Sequence, residues 1–181
     1  SVVEVTTFTL NADADYASFN QVDKEVESNF TSKQKGFIKR QSSMNEKGEY
    51  AVIVYWESVE AAKASMDKFM ADPSVKDYAS MINASSMKMH RYQIKEEFKA
   101  NDAQFTEVMS FETKDGIDVK EFKKANKAVE TNFTAKQKGF LQRIVGRDEN
   151  GKQVVLVYWN NKKNSDAALQ PFMEHEVSKE F

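Results

Sequence analysis

The chain opens on Val2 to Leu10, a run rich in Val, Thr and Phe that stops at Asn11-Ala12-Asp13, and this predicts a β-strand. Beyond Asp15, apolar residues fall at Phe19, Val22, Val26 and Phe30. Spacings of three and four mark one face of an amphipathic helix, with Asp15 as its N-cap. Gly36 then begins a second strand, and Asn45-Glu46-Lys47-Gly48 reads as a tight turn into a third, Ala51 to Trp56. Residues 58–82 read as mostly helical, broken or restarted at Pro73, and residues 86–95 alternate like a final strand. The order is β-α-β-β-α-β, the split βαβ arrangement.

The same pattern returns further along the chain. Glu27 to Phe37, Glu-Ser-Asn-Phe-Thr-Ser-Lys-Gln-Lys-Gly-Phe, reappears as Glu130 to Phe140, Glu-Thr-Asn-Phe-Thr-Ala-Lys-Gln-Lys-Gly-Phe, at an offset of 130 − 27 = 103. That shift aligns residues 2–78 with 105–181 without a gap, and 27 of the 77 pairs are identical, which identifies a tandem duplication. A period of 103 is too long for a solenoid unit of about 20–50 residues, so each copy is domain-sized. The expected domains are residues 1–100 and 101–181.

The third strand of each copy is apolar on both faces: Ala51, Ile53 and Tyr55 on one, Val52, Val54 and Trp56 on the other. Helices can cover one face only, so the second calls for another sheet. The expected fold class is α+β: two tandem ferredoxin-like βαββαβ repeats forming an intramolecular two-sheet α+β barrel. The second copy runs out near its second helix, at Phe181, without a counterpart to residues 86–95. An uncovered strand edge invites pairing, which raises homo-oligomerisation through that edge as an expectation.

Bulk composition narrows the partners. Charges of both signs nearly cancel, to a formal −2, so no basic field exists to attract nucleic acid. With no Cys there is no thiol nucleophile, thiolate metal site or disulfide. The longest apolar runs are strand-sized, so no membrane span is expected. Because the sequence begins at Ser1 without an initiator Met, a cytoplasmic protein and one exported after leader removal are both open. The Asn-Phe-Thr tripeptides at Asn29 and Asn132 match glycosylation acceptors only formally.

Candidate chemistry rests on side chains that both copies share. Trp56 and Trp159 end the third strands, as packed aromatics or as rings stacking on an aromatic ligand. Tyr55 and Tyr158 point to the opposite face and could donate hydrogen bonds to a phenolate. Glu4 and Glu107, mid-strand, are costly to bury alone. Arg40 and Arg143 are their candidate partners, as ion pairs or as a base and an anion-stabilising cation. The two His, His90 and His175, are not repeat-equivalent and lack ligand spacing, so no metal site is expected. The Lys33-Gln34-Lys35 and Lys136-Gln137-Lys138 segments read as helix C-termini offsetting the dipole. No phosphate loop, nucleophile elbow or dinucleotide fingerprint occurs, and no residue is assigned a catalytic role.

One stretch carries a family resemblance: Gly36-Phe37-Ile38-Lys39-Arg40, then Gly48 to Trp56 followed by Glu57-Ser58, then Ala61-Ala62. Gly139 to Arg143, Gly151, Tyr158-Trp159 and Ala167-Ala168 echo it. Each copy resembles the dimeric α+β barrel superfamily, and within it the antibiotic biosynthesis monooxygenase-like domains, over about half its length. That resemblance implies cofactor-free quinone-forming oxidation, haem degradation, or small-molecule isomerase or lyase chemistry. The His that members often carry near the start of the second helix is replaced by Ser65 and Ala168, which argues against haem.

The resulting expectation is cofactor-independent oxidation of a small aromatic molecule in the barrel interior. Trp56, Trp159, Tyr55, Tyr158, Arg40, Arg143, Glu4 and Glu107 would be the ligand-binding set, with no cofactor and no metal. A non-catalytic small-ligand-binding or stress-related barrel and a structural assembly module are the alternatives.

Overall fold

The computed structural model describes residues 1–180. The chain divides into two compact units, Ser1–Lys95 and a second beginning at Glu96.

Unit 1 runs β1 (Val2–Phe8), α1 (Tyr16–Asn29), β2 (Phe37–Met44), β3 (Tyr50–Trp56), α2 (Val59–Phe69), α3 (Lys76–Met81) and β4 (Lys88–Ile94). The strands lie in the order β2-β3-β1-β4, and β1 is antiparallel to both β3 and β4. Helix starts follow the local chemistry. Asp15 accepts from the Ser18 amide at 2.9 Å, and Ser58 accepts from the Ala61 amide at 3.1 Å. Asp72 accepts from the Ser74 amide at 2.9 Å, with Pro73 opening the 3₁₀ turn that leads into α3. The second helical region is thus two helices.

The strand pleat sorts side chains with a period of two. Phe8, Val52, Val54 and Trp56 face the helices, packed with Phe19, Val26 and Phe30 of the α1 region and with Ala62, Val75 and Tyr78. Each such buried apolar side chain contributes about 1.5–3 kcal/mol. Val3, Val5, Ile53 and Tyr55 occupy the opposite face and are also buried.

Unit 2 repeats the plan with β5 (Phe105–Phe111), α4 (Val119–Asn132), β6 (Phe140–Arg147), β7 (Gln153–Trp159), α5 (Lys162–Glu174) and α6 (Glu176–Glu180). Within this unit the order is β6-β7-β5, with β5 at the edge. Val129, Phe133, Val155, Val157, Trp159, Ala168 and Val177 form its helix-facing core. Asp118 caps α4. The segment ahead of β5 belongs to this unit. Gln142 of β6 accepts from the Lys99 and Ala100 amides at 2.8 and 3.2 Å and donates to the Glu97 carbonyl at 2.6 Å. Phe98 meets Tyr158 edge-on at 5.3 Å.

Three details depart from the sequence reading. The first strand ends at Phe8, and Leu10 instead bridges to Ile82. Lys33 and Lys35 do not sit in the last turn of α1, which carries no basic residue. The chain leaves the helix at Phe30 (φ −123°, ψ −69°) and makes a 3₁₀ turn over Thr31–Lys33, so these lysines do not offset the α1 dipole. His175, without an assigned role in the sequence, stands where unit 1 has Asp72. Its Nδ1 accepts from the Val177 amide at 3.1 Å, as Asp72 accepts from Ser74.

Candidate functional site

The eight candidate residues divide between the two faces of each sheet. Trp56 and Trp159 lie in the helix-facing cores, and Tyr55 and Tyr158 on the opposite faces. Glu4 stands opposite Val54 and Glu107 opposite Val157, so both carboxylates share the helix-facing side with the tryptophans. Arg40 and Arg143 occupy that side as well, across from Val54 and Val157.

The Glu–Arg partnership expected from the sequence does not form. Arg40 reaches up to α1, where its Nη2 and Nη1 meet the Asp23 carboxylate at 2.5 and 3.2 Å, both groups buried. Burial alone would lower the guanidinium, but Asp23, helped by Tyr78 and Glu27, outweighs it and holds Arg40 above its ordinary range. Tyr78 packs beside it, and burial pushes that phenol well up. In unit 2 the same site holds Asn126: Arg143 Nη2 meets its Oδ1 at 2.6 Å, and Nη1 its carbonyl at 3.3 Å. Burial drives Arg143 below its ordinary range, and the opposing pull of Glu130 and Glu96 does not make up for it.

Glu4 is paired across the strand instead. In the β1–β4 register it stands opposite Arg91, whose Nε donates to Glu4 Oε2 at 2.7 Å. The carboxylate is only 6% exposed. Burial raises its pKa more than Arg91 lowers it. Glu107 has no such cation among the described residues; it accepts from the Ser165 hydroxyl of α5.

Two buried donors on this side of unit 1 have no hydrogen-bond partner among the described residues: Arg91 Nη2 and Trp56 Nε1. Trp56 stands opposite Val2, two residues along β1 from Glu4, so the three side chains share one stretch of one face. A buried unpaired donor costs about 1–3 kcal/mol, which a hydrogen-bond acceptor entering the site would recover. Trp159 Nε1 is likewise unpaired. Phe37 and Phe140 stand nearly perpendicular to their tryptophans at centroid distances of 6.0 Å. The tryptophan arrangement is therefore common to both units, while the arginine–glutamate pair belongs to unit 1. Sequence reasoning missed Arg91 and Asp23. Asp23 had a signal, since it falls four residues after Phe19 and three before Val26, within the buried stripe. Among the described residues no cluster of His, Asp or Glu fits a metal ion, and no helix is long and apolar enough to cross a membrane.

The chain is α+β, with ferredoxin-like units in tandem. Its fold is that of solved proteins described as monooxygenases. It superposes on a "putative monooxygenase" of Fusobacterium nucleatum subsp. nucleatum with a TM-score of 0.72 at 14% identity, covering 98% of this chain and 82% of that one. A "putative monooxygenase" of Lactobacillus acidophilus gives a TM-score of 0.68 at 16% identity over 99% and 84%. An "anthrone oxidase-like protein" gives 0.63 at 13% identity over 92% and 76%. This agrees at the level of fold with the resemblance to antibiotic biosynthesis monooxygenase-like domains. No protein-family model and no curated protein sequence matches the chain.

Proposed function

We propose that unit 1 binds a small phenolic or quinone-like aromatic on the helix-facing side of its sheet and promotes its oxidation by dioxygen without a cofactor. The Glu4–Arg91 pair carries this reading: a buried carboxylate of raised pKa beside an arginine that keeps one buried donor free. Such a group can accept a phenolic proton, while Arg91 Nη2 and Trp56 Nε1 hold the resulting oxyanion. For conversion of a phenol to a quinone, one oxygen atom of dioxygen enters the ring and the other leaves as water. The ring supplies all four electrons. The solved monooxygenases that share the fold support this class of reaction by analogy.

Oxygen uptake with a panel of hydroxylated aromatics, with quinone followed by absorbance, tests the proposal. Turnover by the parent chain should fall at least tenfold in Arg91→Gln, while Arg143→Gln, in the other unit, should leave the chemistry in place. Binding without oxygen uptake across the panel would favour a non-catalytic ligand site. Equal turnover by parent and Arg91→Gln would remove Arg91 from the reaction.

A further inference from the structure

The carboxylates Glu4 and Glu107 sit in matching frames, one opposite Val54 and the other opposite Val157. The helices above them start in the same phase. Ser58 caps α2 by accepting from the Ala61 amide, and Asn161 caps α5 by accepting from the Asn164 amide. The offset of 103 makes these caps equivalent, and it sets Ala62 in the place of Ser165. Both residues are buried. In unit 2 the Ser165 hydroxyl donates to Glu107. In unit 1 the alanine has no donor to offer, and Arg91 Nε engages Glu4 at Oε2. Among the described residues no hydrogen bond reaches Glu4 Oε1. The buried serine of α2, Ser65, lies one turn further on and makes no hydrogen bond to Glu4.

We infer that a ligand hydroxyl takes the place in unit 1 that the Ser165 hydroxyl holds in unit 2, donating to Glu4 Oε1 beside the Cβ of Ala62. This rests on the reading of Glu4 as the group that accepts a phenolic proton, and it specifies the ligand further. Ser165 marks the direction from which a donor reaches a carboxylate at this register, and Ala62 leaves that direction vacant without moving the helix. The way in passes Arg91, whose side chain is 20% exposed against 8% for Glu4. A buried acceptor regains a hydrogen bond from an entering hydroxyl and nothing from a ring without one. Arg91 Nη2 and Trp56 Nε1 can only donate, so they take the lone pairs of the same oxygen. The ligand is therefore a phenol that arrives protonated. A ready-made phenolate would bring its charge against the Glu4 carboxylate and offer it no proton.

The test is anaerobic titration calorimetry of the 181-residue chain, in mildly alkaline buffer, with 2-naphthol and with 2-fluoronaphthalene, a ring of similar shape that has no donor. The parent should bind 2-naphthol at least tenfold more tightly than 2-fluoronaphthalene. Ala62→Ser, a side chain that the equivalent position of unit 2 already accommodates, should weaken 2-naphthol at least tenfold and leave 2-fluoronaphthalene unchanged. Ala62→Cys adds a larger atom but a weaker donor, and should weaken 2-naphthol less than serine does. Circular dichroism checks that both variants fold, and the comparison of the two rings on the parent needs neither. Cysteine weakening 2-naphthol as much as serine would make residue 62 a matter of space and overturn the inference. So would a parent that binds both rings alike or neither, or an Ala62→Ser chain that binds 2-naphthol as the parent does. Binding as expected, with no oxygen uptake from any phenol, would keep the place of the hydroxyl and remove the oxidation instead.

Discussion

Replacing Asp23 by Asn turns one unit's buried core into the other's, so the two repeats can serve as each other's control. In unit 1 the Arg40 and Asp23 side chains are 3% and 8% exposed and meet at 2.5 Å. At an effective dielectric of about 20, opposite charges roughly 4 Å apart attract by about 4 kcal/mol. Desolvation of the two ions opposes this with several kcal/mol each. The pair is therefore no large net stabiliser, yet removing one partner leaves a buried charge, at a cost of about 3–5 kcal/mol. Asn keeps the hydrogen bond, as Asn126 does for Arg143 at 2.6 Å. Asp23→Asn should thus cost less than that, about 2 kcal/mol, and Asp23→Ala the full amount. For a unit of this size about 2 kcal/mol lowers Tm by roughly 8–16 °C. The mirror substitution, Asn126→Asp, should raise the stability of unit 2, because a carboxylate at that position adds to the pull of Glu130 and Glu96 against the burial that depresses Arg143. Urea and thermal unfolding of the four chains, followed by circular dichroism, would decide. An Asp23→Asn chain that melts with the parent, together with an Asn126→Asp chain that melts lower, would refute the reasoning.

Other consequences can be measured in the same way. Burial raises the Glu4 pKa above its ordinary 4.5, so the folded state holds that proton more tightly than the unfolded chain. The stability this group contributes is full below the ordinary value and is lost as pH rises through the raised one. Glu4→Gln should flatten the fall in unfolding free energy as pH rises above the ordinary 4.5, and an unchanged slope would contradict the assignment. Gly116 and Gly139 both have φ of +80°, but a Cβ on Gly116 meets nothing, while one on Gly139 would collide with Asn160 and Asn164. Gly116→Ala should cost about 1–2 kcal/mol and Gly139→Ala clearly more; equal costs in chemical denaturation would show that the Asn side chains give way freely. His175→Ala should cost about 1 kcal/mol through loss of the Val177 cap, and His175→Asp should be close to neutral. If both melt alike, the imidazole is not acting as a cap.

Periodicity made the elements legible, since strands repeat every two residues and helices every 3.6, and both units obey that rule. The duplication gave the boundaries within residues 2–78 a second reading. Which carboxylate meets which arginine was another matter, because that depends on strand register and on which way a helix face turns. Arg40 shares its sheet face with Glu4, but β1 and β2 are separated by β3, and the nearer acid is Asp23 above the sheet. Arg91 lies in a strand whose alternation is equally good with either face inward. Only its register against β1 shows that it meets Glu4. The division of Trp56 and Tyr55 between faces was visible in the sequence, and the packing of Phe19, Val26 and Ala62 decides which of them turns toward the helices.

The clasp that Gln142 places on residues 97–100 bears on how the halves could be separated. In unit 1 the residue aligned with Gln142 is Lys39, which has no amide side chain to hold backbone in this way. The clasp therefore belongs to one copy and not the other. A protein engineer who cut at the start of the aligned repeat, residue 105, would discard Phe98 and Ala100 and strip the cover from Tyr158. The heritable boundary and the physical one do not coincide, and a separately expressed second half should begin at Glu96.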